Sequence, residues 1–179
     1  MSIIVYHVVT ERPMHVGQRI VFDESHPNGV CRRVRAWEAM QKGESVEPEL
    51  RALIESNPGR WAQVAQRELA MEQVRREQFS HLPSRLACLY TSRTLEEARS
   101  WAGFFQKLGR KVYSIVLLET DGAVFDADAC NCFDGIGDES DLSNALLYWQ
   151  NAPTEKPVIE TIIDGTIIVK EMIETYIPE

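Results

Sequence analysis

Three residues stand where their type is out of keeping with their neighbours. They are His7 in IIVYHVV, Tyr90 at the end of ACLY, and Glu160 in VIETII. Each stretch is otherwise β-branched or apolar, as a buried strand is. Taken singly, each residue has an ordinary reading: a core imidazole with one backbone partner, a sheet-edge packing ring, a solvent-facing carboxylate. A carboxylate among Val158, Ile159 and Ile162 is costly to bury unless its face opens on a polar cleft. Ser92, two residues beyond Tyr90, reads as a turn hydroxyl.

Two more carboxylates sit in an apolar setting. On a helix over about 60–79, Trp61, Val64, Ala65, Leu69, Met71 and Phe79 mark one side, and Glu68 and Glu72 fall within it. Four residues apart, the two repel each other. Burial therefore demands cationic partners. Arg76 on the same helix and Arg85 in the PSRL turn are the candidates, for a structural ion pair that holds helix against turn.

The elements that must position these residues follow from periodicity and punctuation. Residues 3–9 read as a strand. The segment from Glu11 to Gly29 is polar and turn-rich, with Pro13, Gly17 and Pro27-Asn28-Gly29 as breakers. From about Pro48 to Phe79 the chain reads helical, interrupted at Asn57-Pro58-Gly59. ACLYTS is a short strand. Thr94 and Glu97 have capping-box spacing, and Leu95, Ala98, Trp101, Ala102, Phe105 and Leu108 follow at helical spacing until Gly109. KVYSIVLLE is a strand, CNC at 130–132 alternates as a strand does, and DLSNALLYWQ reads as a short helix. VIETIIDGTIIVKEMI reads as two strands joined by an Asp-Gly hairpin turn. This order predicts one α+β domain over 1–179 whose sheet includes antiparallel pairs.

Composition narrows the function classes. The 179 residues carry a net charge of −8, which argues against a general binder of nucleic-acid backbones. No apolar run is long enough to span a bilayer, so no membrane partner is expected. The N-terminus lacks a signal-peptide pattern. Cys31, Cys88, Cys130 and Cys132 lack zinc-ligand spacing and read as reduced thiols. A cytoplasmic location without a metal site is the expectation, with Sec-independent export as an effector left open. Cys88 and His81 are near enough in sequence to raise a Cys–His hydrolase, but a thiol needs a lowered pKa to act.

In chain order, the three anomalies resemble the ADP-ribosyltransferase superfamily in its His–Tyr–Glu branch. YHVVTERPMHVGQ is similar to the family's first motif, a strand with histidine and then a glycine turn. LYTSRTLEEARSWAGFF resembles the second, and PVIETIIDGTIIVKEMI the third, with KVYSIVLLETDGAVFDAD as the sheet strand that follows the second motif's helix. The PSRLACLY turn also resembles small bacterial domains linked to this fold. The resemblance implies an α+β fold with a mixed or antiparallel split sheet around an NAD cleft, and a helical insertion at about 35–80. It implies an NAD-dependent mono-ADP-ribosyltransferase that cleaves the nicotinamide–ribose bond and passes ADP-ribose to an unidentified acceptor, by analogy as a toxin or effector. Glu160 would stabilise the charge developing on the ribose, Tyr90 would stack on nicotinamide, and His7 would bind a ribose hydroxyl. His7, Tyr90 and Ser92 would hold the NAD. Two positions depart from the pattern: Val8 replaces a glycine common after the histidine, and Val158 stands where arginine-modifying relatives carry Glu or Gln. The competing readings are a non-enzymatic protein-interaction domain using the helical segment 48–79, NAD hydrolysis, and transfer of an RNA phosphate to NAD.

Overall fold

The computed structural model describes residues 2–177. The strands are β1 (Ile3–Val9), β2 (Arg19–Phe22), β3 (Leu89–Thr91), β4 (Ser114–Thr120), β5 (Val124–Asp128), β6 (Ile159–Ile163) and β7 (Gly165–Thr175). The helices are α1 (Gly29–Gln41), α2 (Pro48–Ser56), α3 (Pro58–Gln78), α4 (Leu95–Lys107) and α5 (Glu139–Trp149). The fold is α+β, and every strand pair is antiparallel.

The strands form two sheets, ordered β1-β4-β7-β2 and β3-β6-β5. A single backbone bridge links their edges: Tyr6 and Ser92 exchange both backbone hydrogen bonds, at 2.9 and 2.8 Å. The β1–β3 ladder is confined to that pair. Continuing the antiparallel register by two residues would pair Val8 with Tyr90. The Tyr90 carbonyl instead accepts from His7 Nδ1 at 2.8 Å. The imidazole takes the place of the next ladder bond, and the two sheets part there.

Three apolar clusters hold this arrangement. Val5, Val9, Val116, Leu118, Ile163, Ile167 and Val169 fill the space between the sheets. α4 lays Ala98 and Ala102 on Val8 and Ile115. α3 and α5 lay Met71, Val74, Ala145, Tyr148 and Trp149 on Ala127 and Ile162. Complete burial of a large apolar side chain is worth about 1.5–3 kcal/mol, so these clusters, more than any polar contact, fix where the two sheets lie.

The Asp-Gly turn does not make a hairpin. β6 belongs to the three-stranded sheet and β7 to the four-stranded one, so Asp164-Gly165 is a corner at which the chain changes sheets. Asp121-Gly122, between β4 and β5, is a second such corner, and the two pack on each other. Asp164 Oδ1 accepts from Ala123 N at 2.7 Å, and Asp121 Oδ1 from Thr166 N at 2.8 Å. A Cβ on Gly122 would lie 2.2 Å from the Asp164 carbonyl oxygen, and Gly165 has φ +78°. Only glycine lets both backbones approach so closely.

Other boundaries also move. The helical region begins at Gly29, earlier than the expected 35, because Asn28 is an N-cap whose side chain accepts from Cys31 N. β2 arises within the segment read as turns, where it pairs with β7. Cys130 and Asn131 lie on a single 3-10 turn, Ala129–Asn131, capped by Asp128, and Cys132 follows it in extended conformation. The expected capping box of α4 is present, with both reciprocal bonds.

Candidate functional site

His7, Tyr90, Ser92 and Glu160 all line one cleft of about 710 Å3, within the roughly 300–1,000 Å3 of small-molecule sites. They reach it from different directions. Tyr90 and Glu160 lie on the face of their sheet that carries Ile162, towards α3 and α5. His7 shares the opposite, inter-sheet side with Val5 and Val9. An opening through the parted sheets, rather than a single shared face, brings them together. β6 is central in its sheet, but β1 is an edge strand of its own, against the expectation that both would be central.

The hydrogen bond to a carbonyl settles the state of His7. Tyr90 O can only accept, so Nδ1 carries the proton. Burial lowers the imidazole pKa below its ordinary 6.5, against the raising effects of the Tyr90 carbonyl and Glu11. The ring is neutral at pH 7 and Nε2 is an acceptor. In the unfolded chain the same ring takes up a proton from about pH 6.5 downward. The unfolded state then binds more protons than the folded one, and stability falls as pH falls through that range. Melting temperatures of the wild type should therefore drop between pH 7 and about 5.5. His7→Asn keeps a donor for Tyr90 and should flatten that slope; an equal slope in the variant would assign it to other groups.

Glu160 is held on one side and open on the other. Its Oε1 accepts from Arg85 Nη1 and, at 2.7 Å, from the Tyr148 hydroxyl. Oε2 accepts no hydrogen bond from a described residue, and the side chain is 13% exposed. Arg85, 7% exposed, also donates to Glu68 Oε2 at 2.9 Å, and Glu68 is paired with Arg67 at 3.0 Å. Two cations and two anions thus balance in a small volume, which makes their burial tolerable. Burial alone would raise the Glu68 pKa, but the charges and hydrogen bonds of Arg85 and Arg67 overcome it and hold the carboxyl below its ordinary value. Burial keeps the Tyr90 and Tyr148 phenols protonated, with pKa values well above 10, although Arg85 pulls the other way. Tyr148 is therefore a standing donor to Glu160. The guanidinium of Arg85 lies 5.3 Å from the Tyr90 ring centroid and 4.9 Å from that of Tyr148, so one face of Tyr90 is already covered.

The expected ion pairs form with the two expected arginines, and Arg75 joins them as a further partner. Arg85 pairs with Glu68, whereas Glu72 takes Arg75 at 2.9 Å, Arg76 at 2.8 Å and the Ser84 hydroxyl at 2.7 Å. Ser92 uses both backbone groups on Tyr6, and the residue is buried, at 3% exposure. Cys88 is buried, and burial pushes its thiol far above the ordinary value; a Cys88 nucleophile is thereby disfavoured. Among the described residues, no three His, Cys, Asp or Glu side chains are placed to share a metal ion, and no helix is long and apolar enough to cross a membrane.

Sequence reasoning passed over Tyr148. It appeared only as one apolar position of a short helix, and nothing local announces that α5 points its hydroxyl at β6. Arg85 was singled out, but as a partner of the α3 carboxylates and not of Glu160.

Fold and cleft together define an α+β protein with two antiparallel sheets parted over a polar, arginine-backed site. Over residues 5–175 the chain matches the model of the family described as Protein of unknown function (DUF2441), and it belongs to that family. No curated protein matches it.

Proposed function

We propose that the protein is an NAD-dependent mono-ADP-ribosyltransferase whose active site is the cleft between β1 and β3. The observation that carries this reading is the convergence of His7, Tyr90 and Glu160 on one cleft of suitable size. Those are the three residues, in chain order, on which the resemblance to the His–Tyr–Glu branch rests. Geometry adds two supports. Glu160 keeps one oxygen free while its other is tied down, as a carboxylate serving a ribose needs. Along β1 the backbone of Tyr6 points to β3, and by strand alternation that of Val8 points the same way, into the opening. Its N–H and C=O are then available to a carboxamide, a contact that valine makes as well as glycine does.

Cleavage of the nicotinamide–ribose bond develops positive charge on the ribose, as glycoside hydrolysis does. Glu160 faces that charge. Arg85 and Tyr148 fix the orientation of its carboxylate. His7 Nε2 accepts a ribose hydroxyl proton and so sets the pose, and the uncovered face of Tyr90 packs on the nicotinamide ring. α3 contributes Ala65, Glu68, Met71 and Val74 to the interior, so that part of the helical segment 48–79 builds the fold, whereas α2 buries only Ile54 and leaves most of its surface exposed.

The test is NAD titration by calorimetry together with nicotinamide release in water, with wild type and Tyr90→Ala. Micromolar to millimolar binding by the wild type is expected. The variant should bind at least several-fold more weakly at a temperature where it remains folded, and its melting temperature should fall, because the ring packs on the α3–α5 cluster and under Arg85. A folded wild type that neither binds NAD nor releases nicotinamide would end this reading.

A further inference from the structure

The rim of the cleft has the opposite charge to the rest of the molecule. The chain carries −8, yet the charged side chains lining the cleft include Arg12, Arg32, Arg33 and Arg110 against only Glu11 and Glu160. Both carboxylates are already engaged. Glu160 is bound by Arg85 from behind, Glu11 lies 3.3 Å from Arg33, and Arg32 lies 3.3 Å from Glu47, so Arg12 and Arg110 are the rim cations without an ion pair among the described residues. The arginines come from three separate segments: the loop after β1, the first turn of α1 and the connection from α4 to β4. Arg12, Arg32 and Arg110 are exposed and Arg33 half-exposed, whereas His7, Tyr90 and Glu160 sit deeper.

Arg110 is the best prepared of the four. Its guanidinium stacks on Phe105, 4.5 Å from the ring centroid, and Nη2 donates to Thr10 Oγ1 at 3.1 Å. Phe105 and Thr10 themselves line the cleft. No carboxylate of a described residue lies within ion-pair distance of Arg110 or Arg12, although surface arginines elsewhere in the chain, such as Arg60 and Arg93, have found aspartates. A guanidinium held over a ring and tethered at one nitrogen still presents most of its five N–H groups as donors. The guanidinium fork matches the oxygens of a phosphoryl group, which it binds in bidentate fashion.

We infer that the cleft rim is a phosphate subsite anchored by Arg110 and completed by Arg12 and Arg33, so that the ligand bears a phosphate or pyrophosphate at its outer end. The positive or charge-developing part of the ligand then lies by Glu160 and the phosphate at the rim, in a cleft whose lining also includes the apolar Met14, Ile20, Phe22 and Trp101. The inference deepens the proposal of NAD as substrate and takes that cleft as the ligand site. A concave site of this size suits a nucleotide rather than a nucleic-acid strand.

The experiment titrates ADP-ribose, ADP, inorganic pyrophosphate and adenosine into wild type, Arg110→Ala and, as a control outside the cleft, Arg99→Ala. ADP-ribose and ADP should bind the wild type, with an affinity that falls as salt rises. Arg110→Ala should weaken both by about tenfold to a hundredfold, the size of one charge-assisted contact. Adenosine binding and the melting curve should stay unchanged, and Arg99→Ala should match wild type. Equal binding of ADP by wild type and Arg110→Ala overturns the subsite, even if NAD proves to be a substrate. Failure of the wild type to bind any of the phosphate-bearing probes overturns it too, as does a single-stranded oligonucleotide that binds more tightly than ADP-ribose. ADP-ribose binding that depends on Arg110, in a protein that neither binds NAD nor releases nicotinamide, upholds the subsite and removes the transferase reading.

Discussion

Glu160→Gln should lower nicotinamide release from NAD by about a hundredfold to a thousandfold while NAD still binds within a few-fold of wild type. The substitution keeps the size of the side chain and most of its hydrogen-bonding shape but removes its charge. If that charge acts mainly when positive charge appears on the ribose, the loss falls on the rate and not on binding. Removing a preorganised electrostatic contact costs roughly 3–4 kcal/mol in many enzymes, which is the stated range in rate. The structure adds a control. Glu160 is also a partner of Arg85, so the variant loses one ion pair. Arg85 keeps Glu68, and the protein should remain folded at 25 °C with a lowered melting temperature. Initial rates, an NAD titration and a melt on the same sample separate the two effects. A folded Glu160→Gln protein with wild-type turnover would remove Glu160 from the mechanism.

Arg85→Ala should be the most destabilising substitution of a polar side chain in the protein. It strands two carboxylates, Glu68 at 1% and Glu160 at 13% exposure, and removes the cation stacked beside Tyr90 and Tyr148. Loss of one partner of a buried pair costs about 3–5 kcal/mol, and at this chain length each kcal/mol lowers the melting temperature by roughly 2–4 °C. A drop of about 6–20 °C is expected. The double variant Arg85→Met with Glu68→Gln should recover part of the loss, because neither substituted group is then a buried unpaired charge. Thermal melts of the singles and the double give the coupling directly. Additive losses would show that the two residues act independently, contrary to the geometry. The comparison also bears on function: if Arg85 and Tyr148 orient Glu160, Tyr148→Phe removes one of the two bonds to Oε1 with little loss of packing, since a phenylalanine fills the same space beside Phe125 and Trp149.

Much of the fold was legible because it is written in local terms. β1 was read to the residue from a run of β-branched side chains, and α4 from its capping box, apolar spacing and terminal glycine, since each signal lies within a few residues of what it specifies. β2 was hidden because its four residues owe their strand conformation to β7, far away in the chain. The Asp-Gly turn misled because the dipeptide encodes a tight reversal and says nothing about which sheet receives the outgoing strand. That choice belongs to the twin corners at Gly122 and Gly165, which meet only in the folded chain.

For the candidate site, the sequence by itself determined which side chains are anomalous. A histidine, a tyrosine, a glutamate and the α3 carboxylates each break a pattern that hydrophobic periodicity imposes, and burying a polar group without a partner is costly enough to make such breaks informative. It also determined that the buried glutamates need arginines. What only the tertiary structure decided is the pairing and the opening. Arg85 chose Glu68 and Glu160 over Glu72 because its position between α3, α5 and β6 puts both within reach of one planar guanidinium. His7 parts the sheets because its ring reaches the Tyr90 carbonyl across 83 residues of sequence. The four arginines of the rim carry no local signal at all. They become a site only when three separate segments are brought to one cleft, since Coulombic complementarity is a property of distance in space and not of spacing along the chain.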